Sequence, residues 1–261
     1  MLTNGAWKIS GDIGTASLTV GAGTLVWGAP GSTVGGTIFW QGADITFTED
    51  GTLGAADGAT TGLGVLDSRL SSGTRFYQGG SVHLGTTHQR FGGFARDVRS
   101  GASFDGAAGS VLVCRQAAAD VAVSAPMSGE LSFVKEGARR LALTAQSDTT
   151  GSLGVEEGEL VLSAEAVWSN ATNLYVAGSA TLVVSNRGSF ASKPAVSVAE
   201  GAALDLAFAG RAKVASLTVG GQTYRSGHFG AVGSGAPIES AALRGTGTLL
   251  VGKNGLAVIF R

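Results

Sequence analysis

The sequence predicts an all-β chain wound as a right-handed, single-stranded parallel β-helix (a β-solenoid), and three observations carry that expectation. Apolar residues alternate over short runs, each closed by a glycine-rich turn. A phrase made of glycine, one or two small or polar residues and Leu-x-Leu/Val recurs along the chain. In the C-terminal half its leading glycines 137, 158, 178 and 201 are spaced by 21, 20 and 23 residues, a solenoid period.

The alternation predicts strands of about three to five residues, the usual short end of the strand range. They fall at 17–20, 24–27, 37–40, 44–47, 130–133, 141–144, 159–162, 180–184, 203–206, 216–219 and 248–251. A coil of three short strands and three corners uses about twenty residues. No coil buries its apolar face alone, so coils must stack around a thin continuous core. That core suits Leu, Val, Ile and Ala, and the corners suit glycine, which reaches positive φ without a Cβ clash. The whole of 1–261 is expected to be one solenoid, with irregular coils over 1–110 and repeat-like coils over 111–261. The ends, Met1 to Trp7 and Leu256 to Arg261, are the expected caps against edge-to-edge association.

Composition agrees. Glycine contributes 43 of 261 residues and proline 4, without a three-residue glycine period, which excludes collagen-like and proline-rich disordered classes. Hydrophobic residues make up 44 % and charged residues 14 %, the reverse of a disordered chain. Net charge is −1 with no basic run, so no nucleic-acid-tracking surface is expected. No apolar stretch is long enough for a membrane-spanning helix. The opening Met1-Leu2-Thr3-Asn4-Gly5 has neither the charged nor the apolar region of a signal peptide, which reads as a mature chain or a fragment. The single cysteine, Cys114, lies in a strand-like run and reads as a small buried hydrophobe.

The segment 131–163 is specific enough to compare. Lys135, Gly137, Leu141, Leu143, Gly151, Val155, Gly158, Leu160 and Leu162 stand where the autotransporter-associated β-strand repeat has a Lys-x-Gly turn, Leu-x-Leu, a Gly/Thr-rich coil and Gly-Thr-Leu-x-Leu. The chain resembles that family there and departs from it at Gln146-Ser147-Asp148-Thr149, where the family has an Asn-Thr-Tyr-x-Gly-style turn. Residues 198–261 resemble the tail of large exported proteins that carry such repeats. The resemblance implies a secreted or surface-exposed bacterial passenger or stalk, adhesin-like, with no catalytic residue assigned to the repeat. The family's C-terminal outer-membrane barrel needs at least eight strands, and no stretch of this chain supplies them. Export would then use another route, or the barrel would lie outside this chain.

Residues patterned for chemistry are few. His83 and His88 are five residues apart, His228 is remote, and no Cys or Glu joins them at ligand spacing, so no metal or other cofactor is expected. Gly247, Gly252 and Lys253 have phosphate-loop spacing, but Asn254 replaces the hydroxyl residue and no helix pattern follows. Ala231-Val232-Gly233-Ser234-Gly235 reads as a turn rather than a nucleophile elbow. The enzymatic alternative is a β-helix polysaccharide lyase or glycosidase, with Asp97 and Asp105, or Glu156 and Glu157, beside Arg96 and Arg99. Adjacent residues on a strand face opposite ways, so Glu156-Glu157 reads as a turn pair. A third class is a carbohydrate-binding module using Trp7, Trp27, Trp40 and Trp168 as stacking platforms, against burial of those rings.

The stretch 54–105 is less regular and holds Arg69, Arg75, Arg90, Arg96, Arg99, His83, His88, Phe76, Tyr77, Phe91 and Phe94; irregular coils with longer loops are expected, the alternative being a decorated binding face. The expected function is therefore structural and adhesive, without catalysis. A glycan or another cell-surface ligand is the partner class, nucleic acid and membrane span are not expected, and the oligomeric state stays open.

Overall fold

A computed structural model describes residues 80–252 apart from 92, 95, 96, 99, 100 and 118. Before residue 80 it describes the strand residues 6–9, 11–12, 18–20, 23–27, 38–39, 45–47, 51–55 and 66–67 as backbone. The architecture is a β-solenoid of parallel, stacked sheets. Short strands return once per coil and pair with the strand one coil away, so until the C-terminal end consecutive strands along the chain belong to different sheets.

The longest sheet has eleven strands, from Ala6–Ile9 at one end to the pair Ser216–Val219 and Gln222–Tyr224 at the other, and all but the last pairing are parallel. A six-stranded sheet runs from Val121–Val123 through Leu141–Leu143, Glu159–Leu162, Thr181–Val184 and Ala203–Leu206 to Leu243–Gly245. A third face is a five-stranded sheet ending at Met127–Gly129. It is continued by corners, by a single 3-10 turn at Arg187–Phe190, and by the pairing of Arg211–Val214 with Thr248–Val251.

Register turns the sequence alternation into columns. Leu112, Phe133, Leu153, Leu174, Val196 and Leu217 stack one over the next in the long sheet. Val121, Leu141, Leu160, Leu182, Leu204 and Leu243 do the same in the six-stranded sheet. Each of these side chains is buried, and together they form one continuous core. Every added coil buries its apolar stripe against a neighbour, which is the source of solenoid stability. Rings add to this core: Phe133 lies 6.4 Å from Trp168 and Phe190 lies 5.8 Å from Phe208, centroid to centroid. Cys114 is fully buried as expected, and burial pushes its thiol well above the usual value, so it stays protonated.

Most expected strands appear within a residue of their place. The strand expected at 130–133 instead spans Ser132–Glu136, and Leu131 sits buried before it. The glycine period has a structural cause, because Gly137, Gly158, Gly178 and Gly201 all sit at corners with φ of +79°, +70°, +56° and +79°.

Buried polar residues hold the corners together. Gln116 is fully buried; its side-chain amide donates to the carbonyls of Phe94 (2.8 Å) and Ala119 (2.7 Å) and accepts from Phe94 N–H (2.8 Å). The segment 146–149, where the repeat pattern is broken, is bonded at its own corner. Ser147 Oγ accepts from Met127 N–H (3.0 Å), and Thr149 Oγ1 donates to the Leu131 carbonyl (2.6 Å) while accepting from Gly151 N–H (3.2 Å). Valine has nearly the shape of threonine but leaves both groups without that hydroxyl. Thr149→Val is therefore expected to cost about 1.5 kcal/mol in chemical denaturation. An unchanged midpoint would mean that the corner is held by packing alone.

The C-terminal end departs from pure parallel winding. Gly220 and Gly221, both at positive φ, make a two-residue turn from Ser216–Val219 into Gln222–Tyr224, which pairs antiparallel and closes the edge of the long sheet. Gly227–Gly230 then pairs antiparallel with Thr248–Val251. These strands cover the last coil among the described residues. The cap expected at Leu256 to Arg261 lies outside the described residues, and Met1 to Trp7 is described only from Ala6 onward, as strand backbone. No helix among the described residues is long and apolar enough to cross a membrane.

Candidate functional site

The candidates named from sequence are dispersed by the winding. Asp97 is exposed and its Oδ1 accepts from Ala122 N–H (2.7 Å), beside the bridge between Val98 and Val123. Asp105 belongs to another face, in Ala102–Gly106, where its Oδ2 meets His83 Nδ1 at 2.6 Å. The two carboxylates therefore serve different sheets. Glu156 and Glu157 form a turn pair, as expected: Glu157 Oε2 accepts from Gly137 N–H (3.1 Å). Arg96 and Arg99 lie outside the described residues.

Trp168 is fully buried in the core and offers no stacking platform. Trp7 and Trp27 are described only as backbone, and Trp40 lies outside the described residues. The phosphate-loop spacing dissolves into a strand, because Thr248–Val251 fills the interval between Gly247 and Gly252. Lys253 and Asn254 lie outside the described residues. Ala231 to Gly235 is a turn: Ser234 N–H donates to the Ala231 carbonyl, and Glu239 accepts from Gly233 and Gly235 N–H.

Of the irregular stretch, Arg69, Arg75, Phe76 and Tyr77 lie outside the described residues. His83 and Asp105 are register partners and face solvent in part, with side-chain exposures of 37 % and 40 %. The ladder is extended by Ser81 and Ser103, whose hydroxyls meet at 2.9 Å. Arg90 pairs with Glu136. Phe94 is buried against Phe104 and belongs to the core. Among the described residues, no group of three or more His, Cys, Asp or Glu side chains is placed to hold a metal ion.

Lys135, named as the lysine of the repeat turn, is fully buried directly over Cys114. Its Nζ donates to the carbonyls of Gly137 in its own coil and Glu157 in the next, the latter at 2.7 Å. Burial lowers its ammonium from 10.5 to about 8, partly opposed by Cys114 and Glu157. The side chain joins two corners and is closed to solvent, so its part is architectural.

Sequence reading missed a basic groove of about 720 Å³ on the C-terminal coils. One wall is the turn Arg187–Phe190, capped by Asn186, whose Oδ1 accepts from Gly188 N–H (2.8 Å) and whose Nδ2 donates to the Ala164 carbonyl (2.6 Å). The other wall is Arg211–Val214, where burial alternates so that Arg211 and Lys213 point outward while Ala212 and Val214 point into the core. Lys193 completes the rim. Arg187, Lys193, Arg211 and Lys213 are all exposed, and no lining residue among those described is acidic. Beside the groove, His228 is held below its usual range by desolvation and by the Arg211 charge.

The groove's one local signal is the alternation of Arg211-Ala-Lys213-Val, which falls outside the strands expected from sequence. That it faces Arg187 and Lys193 depends on coil register. Comparison of the chain with protein-family models, with curated proteins and with solved structures found no match. The repeat resemblance therefore rests on the quoted residues.

Proposed function

We propose that the chain is a non-catalytic, rigid stalk or adhesin-like passenger segment displayed outside a bacterial cell. The observation that carries this reading is the unbroken parallel ladder. Side chains of successive coils sit in register over the long sheet, and the coils between Phe94 and Glu157 are bonded to one another at their corners by Gln116, Lys135, Ser147 and Thr149. Such stacking makes a stiff column whose length grows with coil number, a property suited to spacing and presentation. The resemblance of 131–163 to the autotransporter-associated repeat supports the exported location. The named carboxylates support a non-catalytic reading, since Asp97 and Glu157 cap backbone N–H groups and Asp105 meets His83.

The test is surface labelling of a bacterium that carries the parent gene. Antibody against the chain is expected to stain intact cells, and added protease is expected to remove the stain. Staining that requires permeabilised cells overturns the exported reading. Release of unsaturated or reducing sugar ends from polygalacturonate by the purified chain overturns the non-catalytic one.

A further inference from the structure

We infer that the groove rimmed by Arg187, Lys193, Arg211 and Lys213 is a binding site for an acidic polysaccharide, one whose sugar rings carry carboxylate or sulfate groups. This goes beyond the stalk reading and does not depend on it.

Charge is the first ground. The chain as a whole is nearly neutral at −1, yet four of its 18 Lys and Arg residues rim one groove that has no acidic lining residue among those described. Arg187, Lys193 and Arg211 have no acidic partner among the described residues. Exposed cations gathered in this way repel one another and raise the local potential, which attracts an anion.

Rigidity is the second. The Arg187–Phe190 wall is tied to the preceding coil by Asn186 Nδ2 to the Ala164 carbonyl (2.6 Å), Ser192 N–H to the Ser169 carbonyl (2.9 Å) and Ser192 Oγ to the Ala171 carbonyl (2.5 Å). Phe190 and Ala212 are buried beneath it, each 2 % exposed. The cations are thus carried on fixed backbone, so less freedom is lost on binding.

Strain is the third. Lys193 is the only non-glycine residue with positive φ among the described residues, at +56°. The left-handed conformation costs a lysine about 1 kcal/mol, and backbone strain of this kind clusters at active sites and ligand clamps. Here the strained residue places an ammonium group on the groove rim.

Spacing and lining select the ligand. Arg187 and Arg211 come from adjacent coils and line the same groove, and Arg211 and Lys213 are two residues apart along one strand, about 6.6 Å. A sugar polymer with one acid group per ring presents anions at comparable steps. A single-stranded nucleic acid is held by a basic groove together with exposed aromatic rings on which its bases stack. The one aromatic lining residue, Phe190, is buried.

Binding of the full chain to four probes at about 0.15 M salt tests the proposal: polygalacturonate, dextran sulfate, neutral dextran and oligo(dT). Polygalacturonate, dextran sulfate or both are expected to bind, with affinity falling steeply as salt rises, and neutral dextran is expected not to bind. The two acidic arms separate carboxylate from sulfate recognition. The double variant Arg187→Gln/Arg211→Gln is expected to weaken that binding at least about tenfold. Lys193→Gly is expected to weaken it about threefold while leaving the melting temperature unchanged or higher, because glycine relieves the left-handed strain. Arg139→Gln, on an exposed corner away from the groove, is expected to bind as the unaltered chain does.

Equal losses in Arg139→Gln and the double variant would overturn the proposal in favour of diffuse charge. Tighter binding of oligo(dT) than of either acidic glycan would overturn it in favour of nucleic acid. Absence of binding to both acidic glycans would also overturn it. None of these results bears on surface display, and staining confined to permeabilised cells would leave groove binding intact.

Discussion

Lys135→Ala is expected to cost about 4 kcal/mol of folding stability, and Lys135→Met about 2 kcal/mol, in equilibrium denaturation. The lysine is 0 % exposed, with its stem inside the column that runs from Cys114 to Val155 and its Nζ on the carbonyls of Gly137 and Glu157. Alanine removes the stem, leaves a cavity and strips the Gly137 and Glu157 carbonyls of their donor. Methionine restores most of the volume and removes the burden of a buried cation, so only the two hydrogen bonds are lost.

The pH dependence follows from the same burial. The folded chain releases the Lys135 proton near 8, whereas the unfolded chain holds it to 10.5. Below about 8 both states are protonated, and the cost of burying the charge is fully present. Between 8 and 10.5 the unfolded state binds more protons, so stability rises with pH, and above 10.5 that cost is gone. A neutral amine still has two N–H groups for two carbonyls. Subtracting the Lys135→Met melting curve cancels the other titrating groups. The difference is expected to grow in favour of the unaltered chain across this window, and a difference that stays flat would mean that Lys135 is not buried as described.

The burial of Lys135 also marks where sequence reading stops. Its place in a Lys-x-Gly turn was legible, but composition alone would put a lysine in solvent. Only the stacked corner, with carbonyls from two coils converging, explains why it is inside. The Leu columns were legible because period-two alternation and a coil-length repeat act together at Leu141, Leu160, Leu182 and Leu204.

Gln116 carries no such pattern, since its partners at Phe94 and Ala119 are set by register. The groove escaped for the same reason, as 24 residues separate Arg187 from Arg211 and only winding brings them to one rim. The antiparallel closure at 216–224 was nearer to hand. Gly220-Gly221 between two alternating runs is a hairpin signal, and it departs from the repeat-like coils expected over 111–261.

Gly137→Ala is expected to cost about 4 kcal/mol, while Gly109→Ala costs about 1 kcal/mol, although both glycines have positive φ. At Gly109, with φ of +85°, a new Cβ meets nothing within 4 Å, so the whole penalty is left-handed strain. At Gly137, with φ of +79°, the Cβ would stand 2.5 Å from the Gln116 carbonyl oxygen and 2.8 Å from its carbon. That carbonyl cannot step aside: it accepts from Arg139 N–H at 3.0 Å, and Gln116 N–H is itself bonded to the Glu136 carbonyl at 2.8 Å. The only relief is to separate two coils, which breaks the register of Val111–Arg115 on Ser132–Glu136. Because each coil leans only on its neighbours, a weakened interface divides the column into two cooperative blocks. Gly137→Ala is therefore expected to unfold in two transitions where Gly109→Ala unfolds in one. Equal penalties at the two glycines would show that coil-to-coil contact at this corner is loose, and that the column is not held by close approach of its backbones.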